Sequence, residues 1–326
     1  MTDARLTLAT DDTINQASLA IQAGDRVAFP TETVYGLGAD ATNDRAIAGI
    51  FHAKDRPHFN PLIVHFDKIE SALNDVVFSE LAHTFASHFW PGGLTLVVNR
   101  KPGCRLSKLV SAGLDTVAVR VPAHDIAQKL LTHSNRPIAA PSANRSGTIS
   151  PTKAEHVSTS LDASNSDSPT IILDGGPCIL GIESTVIDVT TDKAVLLRPG
   201  AISADEIEAV IGPLGKPDNT SDIKSPGMLS RHYAPKMPMR LNVTSALEKE
   251  QLLAFGQNAP DNAVLNLSIK GDLVEAAANL FAMMHELDHH TDKSIAVMPI
   301  PNNGLGIAIN DRLMRAAHGS DASDGI

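Results

Sequence analysis

Hydroxyl-bearing residues alternate along the segment AFPTETVYGLGADA, which spans residues 28–41. Thr31, Thr33 and Tyr35 are spaced two apart, and Gly36 follows them directly. Because alternate residues of an extended chain point to the same side, we expect the three hydroxyls to share one face. A glycine beside that face lets another group approach the backbone closely. The segment therefore predicts a surface that holds a ligand.

Two cations stand close together in HAKDRPHFNPLIVH, where a predicted helix ends. They are Lys54 and Arg56, and Pro57 fixes the turn that follows them. Cations near a helix C-terminus are common for dipole reasons, so the pair does not by itself establish a function. Asn60 follows the turn, and His65 ends the next predicted strand.

One arginine, Arg120, interrupts the apolar strand TVAVRVP, which begins at Thr116. A buried guanidinium is costly without an anionic partner, supplied by the protein or by a ligand. The acids nearest in sequence are Asp115 and Asp125. The sequence leaves both a structural salt bridge and a ligand carboxylate open.

Small polar residues follow another predicted strand in IAAPSANRSGTISPT, among them Ser142, Asn144 and Ser150. Such residues form anion-binding turns, although plain turn clusters are also common. Ser184 precedes a later strand, and Arg198 ends the one after it. Taken together with the other cations, these residues predict a small-molecule anion pocket, such as a site for a triphosphate beside a carboxylate.

Helices and short β-branched-rich strands alternate along the part of the chain that carries these residues. The predicted helices are 13–23, about 43–54, 79–89, 124–133 and 203–211. Ser203 and Glu206 have the spacing of a capping box. We expect an α/β domain with a mixed sheet over residues 1–211.

Residues 212–238 are rich in Pro, Gly and Ser and predict a linker. The linker contains SRHYAP, and long structureless segments are often lids. Strand and helix then alternate three more times, which predicts a small Rossmann-like domain over residues 239–326. Its predicted helices begin near Ser245, Asp272 and Gly304. It has no GxGxxG motif, so it does not indicate a dinucleotide.

Composition narrows the classes of protein. Of 326 residues, 43% are hydrophobic and 20% charged, as in soluble globular proteins. The net charge of −10 argues against non-specific nucleic-acid binding. Cys104 and Cys178 lack CxxC spacing and predict free thiols in a reducing compartment. With no apolar signal region and no stretch of about 18 apolar residues, we expect a cytoplasmic protein and no membrane contact.

The segment from His285 to His289 matches the zinc motif HExxH. At 100° per residue both histidines fall opposite the apolar stripe of their helix, so we expect them to face solvent without a metal. The sequence has no GxxxxGK[ST] phosphate loop and no GxSxG nucleophile elbow.

Five ordered motifs of this sequence resemble those of the YrdC family. They are PTETVYGLG, KxRP with NPL and a histidine after it, APSANxSG, ESTVIDV and LRPG. SPGMxxRHYAP and the small domain after it resemble the long, two-domain form of the family. The motifs span about residues 12–238, and the remainder is similar in architecture only.

The resemblance implies a nucleotidyltransferase that makes threonylcarbamoyl-AMP and pyrophosphate from L-threonine, bicarbonate or CO₂, and ATP with Mg²⁺. The product would serve threonylcarbamoylation of the tRNA adenosine next to the anticodon, and downstream transfer proteins would complete that step. The implied fold is a twisted mixed-sheet α/β domain followed by a second, smaller Rossmann-like α/β domain.

Carried across motif by motif, the resemblance also implies site residues, with Lys54 and Arg56 as catalytic residues. The expected threonine-binding residues are Thr33, His65, Arg120, Ala140 and Ser184. The expected ATP-binding residues are Lys54, Arg56, Asn60, Thr116, Ser142, Ser150, Arg198 and Tyr233. No metal ligand from the protein is implied. A general base stays open, with His65 as the candidate, and residues 225–235 are expected to close over the nucleotide as a lid.

Two other functions stay open. The first is an RNA-binding module whose groove holds double-stranded RNA. The acidic net charge of the protein argues against this function. The groove cations leave weak RNA binding open as a secondary property. The second is a carbamoyltransferase that uses carbamoyl phosphate. Threonine-triggered release of pyrophosphate separates these alternatives from the synthase.

Overall fold

The computed structural model describes residues 5–161, 168–217, 232–289 and 292–318. Within these ranges the strands form one sheet of eleven strands and one of four. None of the helices in these ranges is long and apolar enough to cross a membrane.

The elements of the larger domain surround its sheet. The strands are β1 (Arg5–Leu8), β2 (Val27–Phe29), β3 (Gly36–Asp40), β4 (Ile63–His65), β5 (Val76–Val77), β6 (Leu94–Arg100), β7 (Thr116–Arg120), β8 (Ile138–Ala139), β9 (Ile171–Asp174), β10 (Thr185–Asp188) and β11 (Val195–Arg198). The helices are α1 (Asp11–Ala23), α2 (Asp44–Ala53), α3 (Ile69–Ala72), α4 (Glu80–Phe89), α5 (Asp125–Ser134), α6 (Ala154–Ser160) and α7 (Ala204–Ile211), with a short 3₁₀ helix at Lys108–Ser111.

Capping residues set the helix boundaries in this domain, and the predicted alternation is confirmed. α1 begins after Thr10, which forms a reciprocal capping box with Thr13. It ends at Gly24, whose φ of 90° is the left-handed conformation that favours glycine. α7 begins after Ser203 with the predicted capping box to Glu206.

The larger sheet brings the carboxyl ends of β4 and β7 together. Its strand order is β1-β9-β2-β3-β8-β4-β7-β6-β10-β11, and β5 pairs with β6. β4 and β7 are parallel, and their register pairs His65 with Arg120. β8 lies antiparallel to β4 on its other side. The predicted mixed sheet is confirmed, and it sets the two polar strand ends next to each other.

Helices cover both faces of this sheet. Alternate residues of a strand point to opposite faces. Accordingly, Ala28 of β2 belongs to the apolar cluster that contains Ile47 of α2, while Phe29 belongs to the cluster that contains Ile14 of α1 and Leu130 of α5. The sheet is thus enclosed, and its polar groups are accessible mainly at strand ends.

The second domain contains β12 (Met239–Arg240), β13 (Glu250–Ala254), β14 (Leu265–Asn266) and β15 (Ser294–Val297), with α8 (Leu273–Asp288) and α9 (Leu305–Ala317). Its sheet is parallel in the order β12-β15-β13-β14. α8 and α9 begin where predicted. The helix predicted from Ser245 is wrong. There, Glu250 accepts hydrogen bonds from the N–H of Leu247 and from Arg240, and these local bonds hold a turn before β13.

The two domains share an apolar cluster. Val34 and Ile149, from the turns after β2 and β8, pack in one cluster with Tyr233 and with Phe281 of α8 and Ile309 of α9. The second domain therefore lies against the turns that carry the predicted site residues.

Candidate active site

The candidate active site is a cavity where the ends of β4 and β7 meet the turns after β2 and β8. Predicted site residues in its lining are Thr33, Arg56, His65, Arg120, Ala140, Ser142, Ser184, Arg198 and Tyr233. Thr31, Val34, Gly36, Ile63, Pro141, Glu183 and His232 also line it. Predicted residues outside the lining are Lys54, Asn60, Thr116 and Ser150. The structure therefore brings the expected threonine-binding set together and separates part of the expected ATP-binding set from it.

The segment from Thr31 to Tyr35 is a turn, not the extended chain predicted. The hydroxyls of Thr31 and Thr33 lie 2.8 Å apart, and Thr31 donates to the carbonyl oxygen of Val34 at 2.7 Å. This local bonding competes with strand formation. Thr31 and Thr33 face the cavity, whereas the Tyr35 hydroxyl donates to the carbonyl oxygen of Gly176 at 2.7 Å. The prediction that all three hydroxyls share one face is wrong for Tyr35.

Close backbone packing explains the glycine after this turn. A Cβ on Gly36 would lie 3.1 Å from the Cβ of Ala140, and Gly36 forms a β-bridge with Ser142. The Ala140 N–H donates to the carbonyl oxygen of Ile63 at 2.9 Å. The turn after β8 is thereby held against the cavity wall.

Arg120 is buried at the end of β7, and Glu32 is its partner in the protein. Its Nη2 lies 2.5 Å from Glu32 Oε1, while Nη1 donates to Thr33 Oγ1 and Nε to the carbonyl oxygen of Gly92, both at 3.0 Å. Burial raises the pKa of Glu32, but the charge and hydrogen bond of Arg120, together with the backbone N–H groups of Glu32 and Ala123, lower it below its usual value, so the carboxyl is ionised at neutral pH. A guanidinium has five N–H donors, so the same fork that binds Glu32 can also bind a ligand carboxylate.

His65 is a buried, neutral imidazole beside Arg120. Burial and then the Arg120 charge lower its pKa to about 3. Its Nδ1 atom is buried and has no hydrogen-bond partner among the described residues. A group with this pKa is a weak proton acceptor at neutral pH. His65 is therefore better suited to hydrogen bonding with a ligand than to acting as a general base.

Buried neutral histidines predict the pH dependence of stability. Burial lowers the pKa of His65, His156 and His232 to about 3 and that of His285 to about 4. An unfolded histidine has a pKa of about 6.5, so below that pH the unfolded state binds more protons. We expect the free energy of unfolding to fall as pH drops from about 6.5 toward 4, by about 1.4 kcal/mol per pH unit for each histidine. Urea denaturation across this range tests it; a constant free energy down to about pH 5 would contradict it.

Ser184 and Arg198 bind each other on the opposite wall of the cavity. Arg198 Nη2 donates to the carbonyl oxygen of Ser184 at 2.8 Å and to its hydroxyl at 3.2 Å. The same hydroxyl lies 2.8 Å from Thr95 Oγ1. β11 runs antiparallel to β10 and thereby carries Arg198 back beside the start of β10. A guanidinium and a hydroxyl are thus fixed side by side.

Arg56 is a buried cation in the lining. In the described part of the chain it donates to backbone carbonyls only, those of Asn60 at 3.2 Å and Pro61 at 2.9 Å. Burial, and then the nearby charge of Arg198, lower its pKa to about 9. Two buried arginines facing one cavity favour an anionic ligand, because such a ligand offsets both burial and mutual repulsion.

Lys54 is fully buried behind the turn after β8. Its ammonium donates to the carbonyl oxygen of Ser142 at 2.6 Å and also to that of Asn144. Burial, and then the charge of Arg56, hold its pKa well below the usual value. The Lys54 ammonium therefore binds the backbone of the turn that carries Ser142, and it lies outside the cavity lining.

We expect Lys54→Met to lower kcat for product formation by about tenfold, with the Kd for threonine within about twofold. The reason is that Lys54 orders the turn that carries Ser142, while Arg120 and its partners stay in place. Steady-state kinetics and calorimetry check this, with the exposed Lys193→Met as the matched control. A loss as large as that of an Arg56 variant would show that the Lys54 ammonium itself contacts the reacting phosphate.

The other predicted residues outside the lining differ in their surroundings. Asn60 is buried, and neither side-chain amide atom has a hydrogen-bond partner among the described residues. Thr116 begins β7, at the end of the strand opposite Arg120, and pairs with Asn99. Ser150 donates to Glu183 Oε1 at 2.5 Å. Of the three, only Ser150 makes a side-chain hydrogen bond to a residue of the cavity lining within the described part of the chain.

Tyr233, near the end of the predicted linker, lines the cavity, and Arg312 of the second domain lies behind the lining. Tyr233 is buried, lines the cavity and has its ring centroid 5.4 Å from that of Phe281. Arg312 of α9 is fully buried, and its Nε donates to Glu183 Oε2 at 3.0 Å. Pro226 and Arg231 of the predicted lid lie outside the described residues.

Three charged residues of this region were missed from sequence: Glu32, Glu183 and Arg312. The two glutamates lie within the motifs PTETVYGLG and ESTVIDV. Arg312 lies three residues after Ile309 on the buried stripe of α9. A cation on an apolar stripe is the same signal that singled out Arg120, and it could have found Arg312.

The expectation that both histidines of HExxH face solvent is wrong for His285. Its Nε2 lies 3.1 Å from the carbonyl oxygen of Ser150, and its ring stacks on His156 with centroids 3.9 Å apart. The contact arises because α8 packs against the first domain on that side also. Among the described residues, no group of three His, Cys, Asp or Glu side chains is arranged to hold a metal ion.

Comparison with known proteins agrees with this architecture. Residues 19–200 match the Sua5/YciO/YrdC family model, described as telomere recombination, and residues 202–318 match the threonylcarbamoyl-AMP synthase C-terminal domain. The chain is 43% identical to the threonylcarbamoyl-AMP synthase of Bacillus subtilis, over 96% of this chain and 95% of that protein. It is 42% identical to that of Pyrococcus abyssi, over 91% and 92% of the two chains.

A solved structure extends the similarity to the whole fold. The crystal structure of P. abyssi Sua5 complexed with L-threonine superposes with a TM-score of 0.86 at 37% identity, covering 98% of each chain. Both domains and their order are thus shared with these relatives. The chain belongs to the threonylcarbamoyl-AMP synthase family.

Proposed function

We propose that this enzyme makes threonylcarbamoyl-AMP and pyrophosphate from L-threonine, CO₂ or bicarbonate, and ATP, in the cavity at the ends of β4 and β7. The observation that carries the proposal is the pairing of two recognition features in one cavity. Arg120, Thr33 and His65 lie together and would bind an amino acid, and the buried Arg56 and Arg198 line the same cavity and would bind an anion.

L-Threonine would bind at Thr33, His65, Arg120, Ala140 and Ser184. Arg120 would bind the carboxylate of the amino acid, because its guanidinium lines the cavity, is held in place by Glu32 and has more N–H donors than Glu32 uses. The neutral imidazole of His65 and the hydroxyl of Ser184 would bond the substrate's own polar groups. A P. abyssi relative has been crystallised with L-threonine, which supports this class of ligand.

ATP would bind on the side of Arg56, Ser142, Arg198 and Tyr233. Arg56 and Arg198 would place positive charge where phosphate charge builds up. Lys54 would not contact ATP itself; it would hold the turn that carries Ser142 in position. The unpartnered amide of Asn60 is suited to a ligand group, because buried amides are normally hydrogen-bonded. We also propose Thr116 and Ser150 as ATP-binding residues. Ser150 would act indirectly, through its hydrogen bond to Glu183.

Mg²⁺ would enter bound to ATP. The described residues offer no cluster of three ligands of their own, and the carboxylates of Glu32 and Glu183 are both paired with arginines. The ion would therefore be held by phosphate oxygens and water, where it neutralises charge on the leaving pyrophosphate.

The proposed reaction has two bond-forming steps. The neutral amine of threonine attacks the carbon of CO₂, a C–N bond forms as one C=O π bond opens, and the amine proton passes to water, which gives a carbamate. A carbamate oxygen then attacks the α-phosphorus of ATP, the bond from that phosphorus to the bridging oxygen breaks, and pyrophosphate leaves with the electron pair. The protein's part is alignment and charge stabilisation by Arg120, Arg56 and Arg198.

We further propose that the product serves modification of tRNA through downstream transfer proteins, and that the enzyme works in the cytoplasm. The free thiols of Cys104 and Cys178 support a reducing compartment. Direct RNA binding by the cavity cations remains a secondary proposal.

Pyrophosphate release tests the function. With ATP, Mg²⁺ and bicarbonate, release should require L-threonine, and the product should carry carbon from labelled bicarbonate. Glycine, which lacks the side-chain hydroxyl, is the matched control. Release that ignores threonine contradicts the synthase; product formation from carbamoyl phosphate without bicarbonate would favour the carbamoyltransferase. RNA that competes with ATP while no pyrophosphate forms would favour the RNA-binding module.

A further inference from the structure

Thr95 is a buried threonine whose hydroxyl bonds a residue of the active-site cavity. It is the second residue of β6, and its Oγ1 lies 2.8 Å from Ser184 Oγ. β6 and β10 are parallel, and their register pairs Thr95 with Val186, which brings Thr95 beside the residue that precedes β10. Ser184 lines the cavity, whereas Thr95 lies outside the lining. Thr95 can therefore act on a ligand through the Ser184 hydroxyl.

The direction of this hydrogen bond follows from the hydrogens available. A hydroxyl donates one hydrogen and accepts at two lone pairs. Arg198 Nη2, which can only donate, lies 3.2 Å from Ser184 Oγ and takes one of its lone pairs. Within the described part of the chain, the Thr95 hydroxyl has no acceptor other than Ser184 Oγ.

Thr95 is therefore the donor of the pair. If Ser184 donated instead, the hydrogen of the fully buried Thr95 hydroxyl would have no acceptor among the described residues, and a buried donor without a partner is costly. With Thr95 and Arg198 both donating to Ser184 Oγ, its two lone pairs are used. The Ser184 hydrogen is then left to point into the cavity.

Thr33, a second hydroxyl of the lining, has the opposite polarity. The Thr31 hydroxyl donates to the carbonyl oxygen of Val34, which can only accept, so Thr33 supplies the hydrogen between the two threonines. Thr33 Oγ1 also accepts from Arg120 Nη1 at 3.0 Å. One lone pair of Thr33 then remains. The cavity thus offers a ligand an acceptor at Thr33 and a donor at Ser184.

These two polarities match the carbamate of threonine. Its nitrogen keeps one N–H, which Thr33 can accept, and its oxygens carry the negative charge that arises as the C=O π bond of CO₂ opens. Ser184 bonds Arg198, which we place on the phosphates, so the Ser184 hydrogen lies where the threonine and ATP parts of the site meet. A carbamate oxygen must lie at this junction to reach the α-phosphorus.

We propose that Thr95 is a positioning residue that fixes the Ser184 hydroxyl as a hydrogen-bond donor to an oxygen of the threonine carbamate. This proposal rests on the proposed function, in which the carbamate forms in this cavity. A donor held in a fixed direction stabilises charge as it develops, without having to reorient. L-Threonine itself lacks the carbamate oxygen, so its binding should not depend on Thr95.

Calorimetry with N-carbamoyl-L-threonine, which has a carbonyl oxygen in place of a carbamate oxygen, tests this role without turnover. Thr95→Val should raise the Kd for this probe about tenfold, with the Kd for L-threonine within about twofold. It should also lower kcat for pyrophosphate release about tenfold. Thr95→Ser, which keeps the hydroxyl, should restore the probe Kd and kcat to within about threefold of wild type.

Thr152→Val is the matched control. Thr152 is buried, lies outside the lining, and its hydroxyl has no hydrogen-bond partner among the described residues. The same substitution should therefore leave the probe Kd, the threonine Kd and kcat within about twofold.

A double variant separates positioning from packing. Thr95→Val added to Ser184→Ala should weaken probe binding by no more than about threefold beyond Ser184→Ala alone, because Thr95 acts through Ser184. A larger further loss would show that Thr95 acts by packing and would overturn the proposal. A rise in probe Kd below about threefold in Thr95→Val, an equal loss of L-threonine affinity, or a wild-type enzyme that does not bind the probe overturns it as well.

Should Thr95→Val fail to fold, Thr95→Cys decides, because a thiol is a weak donor of similar size. A rise of about threefold or more in the probe Kd, with the threonine Kd within about twofold, supports the proposal, and any other result overturns it. Wild-type enzyme that releases no pyrophosphate with threonine would instead overturn the proposed function, while probe binding by the variants would still test Thr95.

Discussion

Arg120→Ala is expected to weaken L-threonine binding by about 2–4 kcal/mol, or roughly 30- to 1,000-fold in Kd. The variant loses the guanidinium that we place on the substrate carboxylate. It also leaves the buried carboxyl of Glu32 without its guanidinium partner, while the N–H of Ala123 still donates to it. Because burial then raises the pKa of this carboxyl with no cation to lower it, the site loses the charge arrangement that favours a carboxylate ligand. Isothermal titration calorimetry with L-threonine measures the loss directly.

Two further variants separate the lost contact with the substrate from the loss of the Glu32 partner. Arg120→Ala combined with Glu32→Gln replaces the unpaired buried carboxyl by a neutral amide and should regain part, but not all, of the affinity. Arg45→Ala removes an exposed arginine from α2 and should leave threonine binding unchanged. Near-normal threonine affinity in Arg120→Ala would remove Arg120 from the proposed site.

Arg56→Ala should lower kcat about 100- to 1,000-fold at saturating ATP, with the Kd for threonine within about twofold. Arg56 is a buried cation that we place where charge develops on the phosphates, so its contribution should be larger in the transition state than in the bound substrate. Pyrophosphate release measures kcat, and calorimetry measures threonine binding.

Arg56→Lys is the informative companion variant. It keeps a positive charge but lacks the fork that donates to the carbonyls of Asn60 and Pro61. We expect it to recover less than half of the lost activation free energy, because the charge is then poorly oriented. Normal pyrophosphate release by Arg56→Ala at saturating ATP would show that the cation has no part in the chemistry.

Local signals in the sequence predicted most of the fold. Ser203 and Glu206 predicted the capping box that begins α7, and the helix predicted from about Asp272 begins there. Short β-branched runs predicted the strands, and polar residues at their ends predicted where a site would lie. The parallel register of β4 and β7 then explains why His65 and Arg120, distant in sequence, are neighbours.

Pairings between distant residues could not be predicted in this way. Arg120 binds Glu32, 88 residues away, and Arg312 binds Glu183, 129 residues away. The packing of helices and strands determines each ion-pair partner. The hydrophobic periodicity within one element does not predict that packing. The same limit explains His285, whose partner is the carbonyl of Ser150 in the other domain.

Side-chain bonds within a segment caused the remaining errors. Thr31 bonds the carbonyl of Val34 and turns the chain, so Tyr35 points away from the cavity. Glu250 bonds the backbone before β13 and prevents the helix expected from Ser245. In both cases a polar side chain offered the backbone an alternative to regular structure.

We propose that threonine and ATP meet in the cavity between Arg120 and the pair Arg56 and Arg198. A crystal structure of the full chain with L-threonine and a non-hydrolysable ATP analogue would test this arrangement. We expect the threonine carboxylate within hydrogen-bonding distance of Arg120, and the analogue's phosphates within hydrogen-bonding distance of Arg56 and Arg198. Phosphates bound away from both arginines, or a threonine carboxylate that does not contact Arg120, would contradict it.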